Sequence, residues 1–290
     1  MKGKWPESAC LAQNENRPRA SIEMFSPSEL YHENSKLRPG DMSLYSWIAH
    51  VNSSRDVRNI ISKPHTDYRG ASRVDLPTDY PPSPRSVEDV LCGRRSVRHF
   101  SGDSMDLSKL AKILYLGDGV TKHWHAPDLT DWDLRTAPSG GGLFPVETYC
   151  VAQRVDRLSP GLYLYPPRKH CLLSIAAGSM QDRLIEAVPA QAKAISTACA
   201  CLVLTGVMQR IKFKYGERGY RFVLLEAGHI AQNMLIAAQA EGIGAVAIGG
   251  FMDDAINSLL NVDGVDEAVL YMILLGSVSA CDVSTPSAAG

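Results

Sequence analysis

The stretch from Tyr220 to Ala240 constrains the fold more than any other part of this sequence. Its apolar residues recur at helical spacing, and the pattern ends after Glu241, where Gly242 and Gly244 follow. The pattern is apolar on too many faces for a surface helix, so it predicts a helix at the centre of a domain or at an interface. Polar residues such as Glu226 interrupt it, which disfavours a membrane span.

The composition is that of an ordinary soluble protein with one large domain or two small ones. The chain has 290 residues, of which 45% are hydrophobic and 21% are charged, which excludes a disordered chain or a disulfide-stapled miniprotein. Its 30 Lys and Arg nearly balance its 31 Asp and Glu, so no overall charge favours nucleic acid or a membrane surface. The first residues lack a secretion signal, which predicts a cytoplasmic protein. The 7 cysteines form no C-x-x-C pair and are expected to be mostly buried thiols.

Proline spacing divides the chain into a first part and a main domain. Prolines crowd residues 1–85, which are predicted to form a mostly irregular arm with one short helix at Met42–Val51. Residues 86–276 are expected to form the main domain, and 277–290 a polar tail. The main domain is predicted to contain helices from a Ser86 cap to about Gly93, over Leu107–Tyr115 with Ser108 as its cap, and near Gln181–Val188, and strands at Val146–Val151, Gly161–Tyr165, Ala200–Val207 and Ala268–Leu275.

Two segments are suited to binding a phosphorylated or flat ligand. Arg94, Arg95, Ser96 and Arg98 crowd three guanidiniums and a hydroxyl into five positions, which indicates a phosphate receptor or, with equal weight, a solvated basic turn. The second segment is APSGGGLFPVE, whose glycines let a ligand approach the backbone closely, although a flexible loop has the same composition. Its spacing matches neither a P-loop nor a dinucleotide fingerprint.

Two further segments carry candidate chemistry. Lys214 and Tyr215 are adjacent, and a neighbouring ammonium would lower the pKa of the phenol and make it a usable acid or base, unless the pair is only surface and packing. Gly249 and Gly250 follow a short apolar strand pattern. Their backbone N–H groups could face a cofactor edge, or the glycines could serve close strand packing.

Taken in this order, the four segments resemble the nitroreductase superfamily over roughly Ser86 to Gly276. They are similar in particular to its SagB-type branch, the FMN-dependent dehydrogenases that oxidise thiazolines and oxazolines to azoles. The resemblance implies an α+β nitroreductase-like fold with a mixed central sheet flanked by helices, a homodimer built around the Tyr220–Ala240 helix, and FMN as cofactor. It implies no metal.

The resemblance also implies roles for individual residues. Arg94, with Arg95 beside it, would meet the FMN phosphate, Ser96 the ribityl chain and Arg98 the N1/O2 side of the flavin, where a positive charge stabilises the reduced form. Lys214 and Tyr215 would be the catalytic pair, with Tyr215 removing a Cα proton from the azoline. The remaining implied cofactor contacts are Pro138, Ser139, Gly140 and Gly141, in a loop donated by the partner subunit, and Gly249 and Gly250, facing flavin N5 and O4.

Several alternatives remain open at this stage. No Lys or Arg follows Leu275, so a second basic phosphate ligand near the end of the chain is missing. A nitro- or quinone-reductase supplied by NAD(P)H would share the same flavin contacts. A non-catalytic scaffold beside a cyclodehydratase or carrier protein, docked through residues 1–85, is the third possibility. The expected loop Thr121–Asp133 carries residues that could line a substrate entrance or simply pack, and for which a metal site is disfavoured: His123, Trp124, His125 and Trp132.

Overall fold

The computed structural model describes residues 26–38, 40–54, 70–124 and 132–279, which divide into two units between Lys36 and Leu37. The first unit contains α1, Pro27–Asn34, where the Ser26 hydroxyl accepts from the Glu29 N–H and the Glu29 side chain bonds back to Ser26. The prediction of a single helix in residues 1–85 is therefore wrong. Pro27 resembles a helix breaker, but in the first turn a missing N–H removes no helical hydrogen bond.

The second unit contains the other eight described helices and all the described strands. Its helices are α2 Met42–Ser53, α3 Val87–Gly93, α4 Leu107–Asp118, α5 Gln181–Ala187, α6 Ala192–Thr197, α7 Gln209–Tyr215, α8 Arg218–Ala240 and α9 Asp253–Leu260. Its strands are β1 Arg73–Asp75, β2 Val120–Trp124, β3 Trp132–Arg135, β4 Val146–Ala152, β5 Gly161–Tyr165, β6 Cys171–Ala177, β7 Ala200–Val207, β8 Gly244–Ile248 and β9 Glu267–Gly276.

Most elements expected from the sequence are confirmed within a few residues, with two local differences. The N-cap of α4 is Asp106, whose carboxylate accepts from the Ser108 N–H at 2.6 Å, so the assignment of Ser108 as the cap is wrong. Asp106 lies two residues before Ser108, and its carboxylate satisfies an N–H group of the first turn that has no partner within the helix. The expected loop at 121–133 instead contributes two hairpin strands, β2 and β3, whose mostly exposed positions hide the alternation typical of a strand.

Seven strands form one sheet in the order β1-β6-β5-β4-β7-β9-β8. Every ladder within it is antiparallel, which differs from the mixed sheet expected from the resemblance. The parallel pairing found in the described residues is an isolated bridge between Met105 and Val155. Strands β4, β5 and β6 follow one another through short connections, which only antiparallel neighbours allow.

Helices cover both faces of the sheet. On one face, α4 and α8 pack on the sheet through fully buried side chains such as Leu110, Ile230 and Met234. On the other face, α5, α6 and α9 surround a second cluster that includes Leu184, Ile195 and Ile256. The cysteine prediction is confirmed for the described thiols except exposed Cys92, since Cys150, Cys171, Cys199 and Cys201 are buried. Cys10 and Cys281 lie outside the described residues.

Candidate functional site

The arginine-rich segment is fixed along the outer edge of the sheet. After α3 ends at Gly93 the chain is extended, and the Val97 N–H donates to the Ala245 carbonyl of β8 at 2.9 Å. Further along, the Ser101 N–H donates to the carbonyl of Ser277, next to the end of β9. Arg94 is half-buried in this arrangement, whereas Arg95, Ser96 and Arg98 are exposed. The segment therefore presents its polar side chains beside β8.

Two glycines lie at the end of the same strand. Gly249 and Gly250 follow β8 and are exposed, and a Cβ atom at Gly250 would meet nothing within 4 Å. A Cβ at Gly249 would meet only Tyr271 Cε2, at 3.7 Å. The backbone is thus open to a flat ligand. We call 94–98 together with 249–250 the arginine edge.

The charges of the arginine edge are available to an anion. Within the described ranges, none of its three arginines forms an ion pair with a carboxylate. Arg95 Nη1 donates only to backbone carbonyls, those of Cys92 and Arg94, both at 2.9 Å. Unpaired guanidiniums beside an open glycine backbone form a donor set that fits a phosphate and the edge of an aromatic ring system.

The glycine loop, residues 138–144, lies directly on the Lys214–Tyr215 pair. It makes a single 3₁₀ turn at Gly140–Gly142, within which Gly141 has φ +65°. A Cβ atom at Gly141 would overlap Tyr215 Oη and lie 2.8 Å from Lys214 Nζ. A Cβ at Gly140 would lie 3.3 Å from the Phe222 ring on α8. Two motifs that are far apart in the sequence are therefore in contact, and glycine is what permits this approach.

Lys214 and Tyr215 occupy the last turn of α7. Lys214 is only 4% exposed, and its Nζ lies 5.2 Å from the centroid of the Tyr215 ring. Burial lowers the pKa of Lys214 and raises the pKa of Tyr215. The expectation that Lys214 lowers the pKa of Tyr215 is therefore wrong, because burial of the phenol disfavours its charged form. The pair thus combines an amine whose pKa is lowered with a phenol whose pKa is raised.

Helix α2 supports the end of α7. Trp47 Nε1 donates to the Phe213 carbonyl at 2.6 Å. This carbonyl belongs to the peptide bond that joins Phe213 to Lys214. The last carbonyls of a helix have no partner within it, so the indole satisfies one of them. Helix α2 was predicted from the sequence, but its contact with α7 was not. No spacing pattern links positions so far apart.

A buried charged network lies behind the glycine loop. Arg135 Nη1 donates to Asp118 Oδ2 at 2.9 Å, and Arg210 Nη2 donates to Glu147 Oε1 at 2.5 Å. Both guanidiniums also hold Phe144 at the end of the loop, because Arg135 lies 4.3 Å from its ring centroid and Arg210 Nη1 donates to its carbonyl at 2.6 Å. Neither arginine carries a sequence signal that assigns it a role. Burial raises the pKa of Asp118 to about 6, with Arg135 opposing the shift.

Removing the Asp118 carboxylate should strongly destabilise the fold. Its side chain is fully buried, and Asp118→Ala would leave the Arg135 guanidinium buried without its partner. Breaking one side of a buried ion pair costs about 3–5 kcal/mol. Urea denaturation followed by circular dichroism would measure the loss. Arg157→Ala removes the exposed pair with Asp106 and should change stability by less than about 1 kcal/mol. Equal effects of the two substitutions would contradict a structural role for the buried pair.

The hairpin of β2 and β3 carries the weaker candidates. His123 Nδ1 lies 2.7 Å from Asp133 Oδ1, and Lys122 Nζ lies 5.1 Å from the Trp124 ring centroid. His125 lies outside the described residues, and Trp132 is the first residue of β3. Across the ranges that the structure covers, no group of three or more His, Cys, Asp or Glu could hold a metal ion. No described helix is both long and apolar enough to cross a bilayer.

The two halves of the candidate site occupy different parts of the sheet. The glycine loop leads into β4, whereas the arginine edge lies along β8, and β7 and β9 separate these strands. Three strand spacings correspond to ~14 Å across the sheet. Within one subunit, the arginine edge and the glycine loop are therefore apart, although both were predicted to contact one cofactor.

Comparison with protein families gives a match to the Nitroreductase family over residues 91–277. Among curated proteins, MJ1384 of Methanocaldococcus jannaschii, which is named after the nitroreductases, is 33% identical over 176 residues, 61% of this chain and 84% of that protein. The microcin B17-processing protein McbC of Escherichia coli is 26% identical over 149 residues, 50% of this chain and 55% of McbC. The chain thus spans about half the length of McbC.

Solved structures give the same fold. A protein of Anabaena variabilis described as a nitroreductase superposes with a TM-score of 0.65 and 25% identity, covering 90% of this chain and 48% of that one. A chain of the E. coli microcin synthetase McbBCD complex, solved with truncated pro-MccB17 bound, superposes with a TM-score of 0.54 and 20% identity, covering 86% of each chain. These superpositions confirm the α+β nitroreductase-like fold expected from the sequence.

Proposed function

The chain belongs to the nitroreductase family, and from this we propose that it is an FMN-dependent dehydrogenase of the SagB type that oxidises a thiazoline or oxazoline to the azole. The observation that carries the proposal is the contact of Gly141 with both Lys214 and Tyr215. The SagB resemblance assigns catalysis to that pair and cofactor contact to that loop. Similarity to McbC, a microcin B17-processing protein, supports a substrate within a peptide or natural-product intermediate.

The arginine edge is the proposed FMN site of this chain. Its exposed guanidiniums and open glycine backbone suit a phosphate and a flat ring, with Ser96 available for the ribityl chain. When bound, FMN would supply a two-electron acceptor for the hydride of the azoline, with O₂ as the terminal acceptor of both electrons. A positive charge at Arg98 would stabilise the reduced cofactor.

The proton of the same oxidation is assigned to Lys214. Aromatisation removes one hydride and one proton from the ring, and the proton on Cα must go to a base. Burial lowers the pKa of Lys214, which shifts its side chain towards the neutral amine, the form that can accept a proton. The pKa of Tyr215 is raised, so its hydroxyl stays protonated and acts as a hydrogen-bond donor to the azoline. These roles revise the expectation that Tyr215 is the base.

The visible spectrum of the purified protein under anaerobic conditions tests the function. The proposal expects a flavin spectrum that NADH and NADPH leave oxidised and that a model peptide thiazoline bleaches, with thiazole formed in equal amount. Rapid bleaching by NAD(P)H without oxidation of the thiazoline would instead favour the nitro- or quinone-reductase, which the similarity to MJ1384 keeps as the second candidate. If the protein bound no flavin after reconstitution with FMN, the result would favour the third possibility, a non-catalytic scaffold.

A homodimer would bring the two half-sites together. Because ~14 Å separates β4 from β8 within one sheet, we propose that the arginine edge of one subunit faces the glycine loop of its partner. Helix α8 offers the contact surface, since Leu224 and Leu225 are 45% and 57% exposed on a helix whose other side is core. Exposed leucines at adjacent positions of a central helix favour a protein interface.

The substitution Leu225→Glu should therefore yield a monomer that has lost FMN. A charge at the centre of an apolar interface is strongly unfavourable when it is buried without a partner. Light scattering would give the mass in solution, and absorbance would give the flavin content. Val265→Glu is a matched control, because Val265 is 75% exposed in the turn before β9 and should leave both readouts unchanged. A monomeric Leu225→Glu variant that retains full FMN occupancy would refute the shared site.

Partners and location follow from the same proposal. We propose that the protein works in the cytoplasm beside a cyclodehydratase or a carrier protein, with residues 1–85 as the docking arm. The similarity to McbC supports this, as does the fold shared with a chain of the McbBCD complex. Deleting residues 1–36 and testing co-purification with a candidate cyclodehydratase would examine the arm without removing α2.

A further inference from the structure

Glu226 is a buried acid in the middle of α8 to which the proposed chemistry assigns no role. It is 2% exposed and lies one turn after Phe222, against which Gly140 packs. Its Oε1 accepts from the Val146 N–H, at 3.4 Å, just beyond the end of the glycine loop. In the described residues its Oε2 is buried and has no hydrogen-bond partner. Buried polar atoms normally have a hydrogen-bond partner, so the unpartnered oxygen of Glu226 calls for a structural or functional explanation.

Ser139 connects Glu226 to the glycine loop. Its hydroxyl lies beside the Glu226 carboxyl group, whose pKa it lowers, and accepts from the Phe144 N–H at 2.9 Å. The Gly142 N–H donates to the Ser139 carbonyl at 3.1 Å, which closes the turn around Gly141. One carboxyl group therefore lies beside the start of the loop at Ser139 and accepts from Val146, two residues after the loop ends.

The charges around Glu226 favour its neutral form. Asp118 of α4 and Arg135 of β3 are the charged groups that interact with its carboxyl group. Arg135 also interacts electrostatically with Glu147 of β4, which forms an ion pair with Arg210 of α7. With Glu226 ionised, the network would contain three carboxylates and two guanidiniums, so one proton restores neutrality. Burial raises the pKa of Glu226 to about 8, above the value of about 6 for Asp118, so Glu226 holds that proton.

We infer that Glu226 is the positioning residue of the glycine loop, and that in its protonated form it holds Gly141 against Lys214 and Tyr215. Ionisation would add an unpaired negative charge beside Asp118, and such a charge is stabilised by admitting water. The Ser139 end of the glycine loop, which lies beside Glu226, would open to provide it. The importance of this contact for catalysis rests on the function proposed above, whereas the control of the loop does not.

The direction of the pH effect follows from linkage. An acid whose pKa is higher in the closed form than in the open form favours the closed form at low pH. That advantage is lost progressively as the pH rises from the ordinary range of a glutamate towards the pKa of about 8 that Glu226 has in the closed form. Over this range, loop opening should increase about tenfold per pH unit, and it should level off above it.

Backbone hydrogen exchange of the full-length protein at pH 6 and pH 8 tests this inference, with rates corrected for the intrinsic effect of pH. In the wild type, protection of the Gly142 and Phe144 amides should fall about a hundredfold between the two values. Glu226→Gln keeps the shape and one acceptor but cannot titrate, so its loop protection should not change with pH. This readout requires neither flavin nor substrate, so it is separate from the test of the proposed function.

A matched control and a second variant keep the outcome decisive. Glu267→Gln alters another buried glutamate, which accepts from Tyr149 and Thr205 in the sheet at 2.9 and 2.6 Å, and should retain the pH dependence of the wild type. Ser139→Ala leaves Glu226 in place but removes the link, and should raise loop exchange at both pH values. A loop equally protected at pH 6 and pH 8 in the wild type, or unaffected by Ser139→Ala, would overturn the inference.

Discussion

Replacing Lys214 with methionine is expected to lower the rate of azoline oxidation by about 10²–10⁴-fold, the usual contribution of a positioned general base. Methionine fills a similar volume without a titratable group, so the contact with Gly141 can be kept while the proton acceptor is lost. The pKa of Lys214 is lowered because the side chain is buried. The measurement is kcat for a model thiazoline with FMN-loaded protein.

Two further variants test whether Lys214 acts as a base or through its positive charge. Lys214→Arg keeps a cation that does not deprotonate in proteins, so it should be about as inactive as Lys214→Met. Lys212→Met, on the same helix and paired with Glu217 at 3.0 Å, should be close to wild type. If Lys214→Arg retained most of the activity, the ammonium would be acting by its charge, and the base would have to be sought elsewhere.

The pH profile gives an independent check on Lys214. A base must be deprotonated to act, so kcat/KM should rise as the pH rises through the pKa of Lys214. Because burial lowers that pKa, the rising limb should lie below the usual range of a lysine. The residual activity of Lys214→Met should lack this limb.

Local patterns were sufficient to predict most of the helices and strands. The run at Ala200–Val207 reads as a buried strand from its composition, and β7 has those bounds. The Tyr220–Ala240 pattern starts only two residues after Arg218, the first residue of α8, and ends at the same residue. Such elements are specified by neighbours in the sequence, through apolar periodicity and glycine stops, and these signals survive without tertiary information.

The candidate site could be predicted only in part, because contact is a long-range property. The glycine loop and Lys214 were both identified, but no pattern shows that Gly141 meets Tyr215. The sign of the Tyr215 pKa shift was wrong because it depends on burial, which adjacency in the sequence does not reveal. In the sequence, Glu226 stood out only as a polar interruption of the α8 pattern that disfavours a membrane span. Arg135 and Arg210 gave no such signal.

Gly141→Ala should lower kcat about a hundredfold, because it displaces the catalytic pair and not only because it strains the loop. The new Cβ would overlap Tyr215 Oη and lie 2.8 Å from Lys214 Nζ, so one partner must shift, and a displacement of about 1 Å typically costs that much. The φ of +65° adds strain of ~1–3 kcal/mol for alanine. Gly242→Ala isolates this second effect, because Gly242 has φ +68° and a Cβ there would meet nothing within 4 Å. Comparable thermal destabilisation in both variants, with activity lost only in Gly141→Ala, would assign the loss to the contact. Equal activity in the two variants would show that the loop does not position the Lys214–Tyr215 pair.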